Sequence, residues 1–269
     1  MSPEPRKPRS QIVLEVVDTM IVSRHMVRVF LGGPGFREFE NIPATDKYVK
    51  IFFVKPELGL DPPYDIEALR ASLPQEDWPV VRTYTIRLVD EQRRRLAIDF
   101  VVHGDEGVAG PWARGARVGD RIALAGPGGA FIPTEDVAAY VFAGDESATP
   151  AIAAALESLP NGATGLAIIE AEDFEDMQLL GEPDGIEMTW VFRSRGESLV
   201  AAVAAADWPE GDVQVFAHGE RESMKALRAI FAERGVRREL RSLSGYWAQG
   251  RTEDRFQAEK REPIGRIDD

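Results

Sequence analysis

One change of pattern constrains the fold more than any other feature of the 269-residue sequence. Ahead of Pro133 the chain carries short runs of β-branched, aromatic and long side chains, each broken by Gly, Pro or polar residues. Those runs are 11–18, 21–31, 48–54 (with Lys50 inside it), 80–88, 96–102 and 122–124, and Gly32-Gly33-Pro34-Gly35 forms a clear break. Residues 56–79 read as a long loop with one short helix near 66–73, and no stretch reads as a core helix of ordinary length. This punctuation predicts an antiparallel β-barrel or sandwich ending near Ile132. From Ala138 the pattern alternates. Strands at 139–143, 165–170, 185–192 and 213–217 are interleaved with helices at 149–159 and 199–206 and with an apolar stripe of Met224, Leu227, Ile230 and Phe231. Thr149 is a plausible helix cap there, with Pro150 in the first turn. A weak helix at 176–180 and a last strand at 238–242 complete the reading. Alternating strands and helices predict an α/β domain with a parallel sheet covered on both faces. The expected organisation is a domain at 11–132 and a domain at 138–250, with flexible tails at 1–10 and 251–269 or a partner-facing strap in the latter.

Two domains of ordinary size fit this length, and an apolar content of 44% lets both bury a core. The chain has no cysteine, which excludes disulfides, thiolate metal sites and cysteine nucleophiles. Its three histidines, His25, His103 and His218, lie far apart and argue against a three-histidine metal centre. The net charge of −13 opposes nucleic acid and anionic membrane surfaces as partners. No apolar leader and no stretch of membrane-spanning length is present, so a cytoplasmic protein without stable membrane insertion is expected. Oligomeric state stays open, a monomer included.

Within the first half, Arg82-Thr83-Tyr84-Thr85-Ile86-Arg87 combines a cation, an aromatic ring and hydroxyls on one strand. Alternation puts Arg82, Tyr84 and Ile86 on one face and Thr83, Thr85 and Arg87 on the other. A cation and a ring sharing a face can hold a phosphate and a flat heterocycle, or can simply be a solvated strand with a packed Tyr. Downstream come Asp99-Phe100-Val101-Val102-His103, then Gly110-Pro111-Trp112-Ala113, and Gly126-Pro127-Gly128-Gly129 as a tight turn. A Gly-Pro start to a helix permits close backbone approach and an anion site. The second half lacks the GxGxxG dinucleotide fingerprint and carries GDESATPAI at 144–152 in the strand–turn–helix position instead. The chain then ends its last strand region with SGYWAQG at 244–250.

These motifs, in this order over about 13–250, resemble the siderophore-interacting protein family, flavin-dependent ferric-siderophore reductases on a ferredoxin-reductase-like fold. The resemblance implies a two-domain protein with an N-terminal antiparallel β-barrel flavin domain and a C-terminal α/β parallel-sheet nicotinamide domain. It implies FAD as cofactor, NADPH or NADH as electron donor and a ferric siderophore as partner. Hydride passes from the nucleotide to the flavin, and single electrons then reduce Fe(III), so no side chain need act as a catalytic acid or base. Carried onto this chain, the resemblance gives Arg82 the flavin phosphates, Tyr84 the isoalloxazine and Thr85 the redox-active edge, with Thr83 nearer a structural role. Asp99 and His103 follow along the ribityl and phosphate side, and Gly110, Trp112 and Ala113 at the pyrophosphate. Asp145, Ser147 and Thr149 fall on the nicotinamide-side loop, with Glu220 at the same end, and Trp247, beside Tyr246, covers the flavin or seals the domains. Lys50 and Arg87 are candidates for an anionic siderophore. Glu170 at a strand end would favour NADH, and Arg193 and Arg195 a 2′-phosphate. Each position has a plainer reading: strand propensity for Thr85, packing for Trp112, Tyr246 and Trp247, a solvated residue for Lys50, and a first-turn acid for Glu220. Two rival functions share the architecture: a general flavin reductase or related flavin oxidoreductase, and a noncatalytic siderophore- or partner-binding protein.

Overall fold

The computed structural model describes residues 10–102, 104 and 107–267. The chain forms two compact units. One takes the residues up to Ile21 with Val27–Ile42 and Lys47–Gly129, and the other takes Val22–Met26, Pro43–Asp46 and the residues from Ala130 onward.

The first unit is built from β1 (Ile12–Ser23), β2 (Met26–Gly32), β3 (Tyr48–Phe53), α1 (Ile66–Ser72), β4 (Val80–Asp90), β5 (Arg95–Val101), α2 (Ala109–Gly115) and β6 (Arg121–Gly128). The strands close a barrel in the order β1-β2-β5-β4-β3-β6. The β1–β6, β3–β4, β3–β6 and β4–β5 pairs are antiparallel. Period-two patterning drives the closure: Ile12, Leu14 and Val16 are buried and alternate with half-buried neighbours. Leu14, Val29, Leu31, Val49, Ile51, Leu96, Ile98, Phe100 and Leu124 fill the interior. Full burial of each such side chain contributes about 1.5–3 kcal/mol, and closure removes the unpaired sheet edges. Asp65 caps α1, its carboxylate accepting from the Ala68 amide at 3.0 Å.

Two local expectations change in this unit. β1 runs on to Ser23, so the hairpin turns at Arg24-His25 and not around residues 19–20. Residues 126–128, expected as a tight turn, continue β6. Gly126 has φ 140, and a Cβ there would lie 3.0 Å from the Tyr48 carbonyl oxygen. A Cβ on Gly128 would lie 2.6 Å from the Tyr48 ring. The glycines therefore admit β3 close against β6, where the register between the two strands shifts.

The second unit contains β7 (Ala139–Gly144), α3 (Thr149–Glu157), β8 (Thr164–Ala171), β9 (Gly185–Phe192), α4 (Leu199–Ala205), β10 (Val213–Glu220), α5 (Arg221–Glu233), β11 (Arg241–Trp247) and α6 (Glu253–Glu259). Its five strands form a parallel sheet in the order β11-β10-β7-β8-β9. Alternation along β7 divides the core: Tyr140 and Phe142 pack with Ile152 and Leu156 of α3. Val141 and Ala143 pack with Leu199 and Val203 of α4 and with Met224, Leu227 and Phe231 of α5. The chain runs outward through β7, β8 and β9 and then returns to the other side of β7. This creates a topological switch point between β7 and β10, where ligands of open α/β sheets bind at the strands' carboxyl ends.

Three expectations are corrected here. The helix expected at 176–180 does not form; one 3₁₀ turn, Phe174–Asp176, stands at its start, fixed by the Asp173 carboxylate accepting from the Glu175 amide. The last strand begins at Arg241, and Arg238–Leu240 is a 3₁₀ turn. Residues 251–267 are not a loose tail: α6 buries Phe256 to 1% exposure, and its Glu259 accepts from Arg221, Arg251 and Arg255 at 2.6, 2.8 and 3.0 Å. Among the described residues no helix is long and apolar enough to cross a membrane.

Candidate functional site

On the barrel, strand pairing sorts the candidate residues. Tyr48 lies opposite Thr85 and Lys50 opposite Thr83, whereas Val49 lies opposite Tyr84 and Ile51 opposite Arg82. Directly opposed residues share a face. Arg82 and Tyr84 therefore lie on the face that carries the interior residues, and Tyr48, Lys50 and Thr83 form the exposed face. Tyr84 is half-buried, its ring 4.5 Å from that of Phe100. Trp112 continues the same aromatic row, 5.5 Å from Phe100 and 5.8 Å from Phe53. Packing thus accounts for one side of Trp112. Arg82 is half-buried and donates through Nη1 to the Val81 carbonyl at 2.9 Å. Thr85 and Arg87 are each only 7% exposed, so Arg87 does not stand on the open face with Lys50.

Asp99 is buried and taken up by Arg28, which donates from Nε and Nη2 at 2.6 and 2.8 Å. Its carboxylate is an anchor for Arg28 rather than an open acceptor. Ala113 is buried at 1% exposure, so its side chain is internal packing. Gly110 sits where a Cβ would come 3.4 Å from the Val101 carbonyl, a close approach of α2 to the end of β5. His103 lies outside the described residues.

At the carboxyl ends of β7, β10 and β11 the second unit is organised around Asp145. Its Oδ1 accepts from the amide and hydroxyl of Ser147, at 2.9 and 2.5 Å. Its Oδ2 accepts from the Glu220 amide and from Trp247 Nε1, both at 2.8 Å. Burial pushes the Asp145 carboxyl above its ordinary value, against hydrogen bonds from Ser147 and Trp247 that pull it down. Gly219, at φ 148, passes so close that a Cβ would lie 2.6 Å from Asp145 Oδ2. Trp247 is 37% exposed, with its indole held by that carboxylate. Glu220 is the cap of α5: Oε2 accepts from the Ser223 amide at 2.9 Å and Oε1 from the Gln249 amide at 3.2 Å. Thr149 is the first helical residue of α3 and not its cap; it is 1% exposed and donates to the Asp145 carbonyl at 3.1 Å.

Beside this hub lies a second one that the sequence does not announce. Arg193, just past β9, donates to both oxygens of Glu146 at 2.5 and 2.8 Å, to Glu170 at 3.3 Å and to Glu172 at 3.1 Å. Arg195 is exposed, with its guanidinium 5.0 Å from the Phe192 ring centroid. His218 is a further buried group. Its Nδ1 meets the Tyr246 hydroxyl at 2.9 Å and its Nε2 meets Ser242 Oγ at 3.0 Å. Desolvation, helped by nearby Lys260, lowers its pKa to about 3, so the imidazole is neutral at physiological pH. Among the described residues no group of three or more His, Asp or Glu is placed to hold a metal ion.

The barrel's donor set matches the chemistry of FAD. A half-buried cation at Arg82, half-buried rings at Tyr84 and Trp112 and a small residue at the start of α2 are the residue types that would hold a phosphate and a flat ring.

Comparison with known proteins gives the family. The model of the siderophore-interacting FAD-binding domain matches residues 15–131, and that of the siderophore-interacting protein family matches residues 137–250. The chain is 33% identical over 257 residues to the ferric vibriobactin reductase ViuB of Vibrio cholerae, covering 92% of this chain and 93% of the relative. It is 32% identical over 237 residues to the NADPH-dependent ferric-chelate reductase of Escherichia coli, covering 87% and 91%. A crystal structure of a siderophore utilization protein from T. fusca superposes with a TM-score of 0.78 at 36% identity, covering 91% of this chain and 95% of that one. With an FAD-binding barrel and a parallel-sheet unit that both match over almost their whole length, the chain belongs to the siderophore-interacting protein family.

Proposed function

We propose that the protein is a ferric-siderophore reductase that draws on NADH or NADPH through FAD and releases Fe(II). The observation that carries this reading is the pairing of an FAD-type donor set on the barrel with a ligand-binding switch point in the parallel-sheet unit. Bound FAD supplies the exchange between a two-electron hydride donor and a one-electron iron acceptor. The chain's own residues bind and orient. Arg82 would hold the flavin phosphates, and Tyr84 and Trp112 would cover its ring. Thr83 presents its hydroxyl on the exposed face of the same strand, whereas Thr85 is buried. In the second unit the Asp145 carboxylate fixes the Trp247 indole and the turn into α5, giving the nucleotide a rigid seat at the switch point. Lys50, exposed on the barrel surface, gives an anionic ferric chelate a cation to approach. Reduction weakens the hold of hard-oxygen chelators on iron, which completes release without a side-chain acid. The ferric vibriobactin and ferric-chelate reductases among its relatives support this substrate class. A cytoplasmic location fits the supply of reduced nucleotide.

The test is an anaerobic visible spectrum of the protein with FAD, taken before and after reduced nucleotide and again after a ferric siderophore. Bleaching of bound flavin followed by recovery is the expected result. Bleaching without recovery by any ferric chelate would assign a different flavin oxidoreductase. Failure to bind flavin would break the reading at its root.

A further inference from the structure

Adenosine ends of dinucleotides lie beyond the carboxyl edge of the second strand of such sheets, where an acid accepts from ribose hydroxyls or an arginine meets a 2′-phosphate. In this unit that edge is the end of β8, at Glu170 and Glu172. We propose that the protein takes NADH in preference to NADPH because carboxylates already hold the groups a 2′-phosphate would need. The inference rests on the reductase reading above.

Of the three groups here that could serve a phosphate, two, Arg193 and the first amide of α4, are occupied. Arg193 is surrounded by Glu146, Glu170 and Glu172, with hydrogen bonds on Nε, Nη1 and Nη2. The first amide of α4, an orphan donor of the kind that binds phosphate, donates to Glu170 Oε2 from Leu199 at 2.8 Å. Neither carboxylate is free to swing away. Glu146 Oε1 also accepts from the Glu172 amide at 2.7 Å, and Glu170 bridges Arg193 and Leu199. Three carboxylates against one guanidinium leave the edge negative. Glu172 is the outermost, its side chain 46% exposed. A ribose hydroxyl donates to such an edge, whereas a phosphate dianion is repelled by it. Arg195 is the cation that stands apart from this cluster, stacked on Phe192.

The experiment uses FAD-loaded protein and follows flavin bleaching under anaerobic conditions with each nucleotide. NADH is expected to bleach the flavin with a second-order rate constant about tenfold or more above that of NADPH, whose 2′-phosphate meets like charge at this edge. Glu172→Gln removes a partly exposed charge without touching a backbone anchor, and is expected to narrow that ratio about fivefold. Glu170→Gln is expected to act in the same direction. Calorimetric titration with ADP-ribose and its 2′-phosphate gives a readout independent of turnover, and ADP-ribose is expected to bind more tightly. Equal or faster bleaching by NADPH, tighter binding of the phosphorylated compound, binding of neither compound, or a ratio unmoved by both variants overturns the proposal. An NADPH preference abolished by Arg195→Ala would overturn it too, and would assign the phosphate to Arg195. Selective binding of ADP-ribose with no bleaching by either nucleotide would support the edge assignment and sink the reductase reading alone.

Discussion

Asp145 and His218 are both buried ionisable side chains, yet their hydrogen-bonding surroundings differ. Asp145 has three N–H groups and a hydroxyl directed at its two oxygens. Those donors pull its pKa down, against the burial that pushes it above the ordinary carboxylate value. His218 has one hydroxyl at each ring nitrogen and no carboxylate among its hydrogen-bond partners. Neutral imidazole satisfies both, one nitrogen donating and the other accepting. This has a consequence for stability. The unfolded imidazole titrates near 6.5 and the folded one near 3. Between those values the unfolded chain binds a proton that the folded chain does not, so stability falls as pH drops through that window. The slope for one such group is about 1.4 kcal/mol per pH unit. In urea unfolding, the stability gap between the protein and a His218→Gln variant is expected to shrink at that rate from pH 6.5 downward. A constant gap would mean that His218 is protonated in the fold. Local patterning makes the Arg82–Arg87 strand and the strand–turn–helix position of GDESATPAI legible, and only the family resemblance suggests roles for them. The partners of Asp145 were not legible, since Trp247 lies 102 positions away, and neither was Arg28 for Asp99, at 71. Such pairings are set by strand order, which a single sequence does not encode locally.

Most strands and helices declared themselves through period two or period 3.6, and the misplaced elements share a cause. α6 has seven residues and one large apolar side chain, Phe256, so no periodicity can emerge from it. Its helix rests on tertiary contacts: Thr252 caps it, Phe256 is buried, and Glu259 gathers three arginines. β11 was displaced because Arg238 and Leu240 look strand-like beside a run that really begins at Arg241. The glycines at 126 and 128 signal a turn by composition, but here they serve close strand packing against Tyr48. The α6 assignment has a direct measure. Phe256→Ala is expected to lower the stability of the second unit by about 3 kcal/mol, the ordinary cost of emptying a core aromatic position. A loose tail would instead give a change too small to resolve in urea denaturation.

For the molecule as a whole, the charge of −13 sets the terms on which an anionic chelate arrives. A ferric tris-catecholate is trianionic and approaches against that field, whereas a ferric tris-hydroxamate is neutral and does not feel it. The field extends about 30 Å at 0.01 M salt and about 8 Å at 0.15 M. Attraction to Lys50 acts at contact, inside either length, and salt weakens it less than it weakens the long-range repulsion. Raising the salt across that range is therefore expected to increase kcat/KM for the tris-catecholate, because salt screens the like-charge repulsion. The neutral chelate is expected to change little. If Lys50 meets the chelate as proposed, Lys50→Gln is expected to lower the tris-catecholate value at both salt concentrations, a loss of about 1 kcal/mol or less for an exposed cation. A fall in kcat/KM with salt would mean that a local basic surface outweighs the global charge. An equal response from the neutral chelate would mean that salt acts on the protein and not on the encounter.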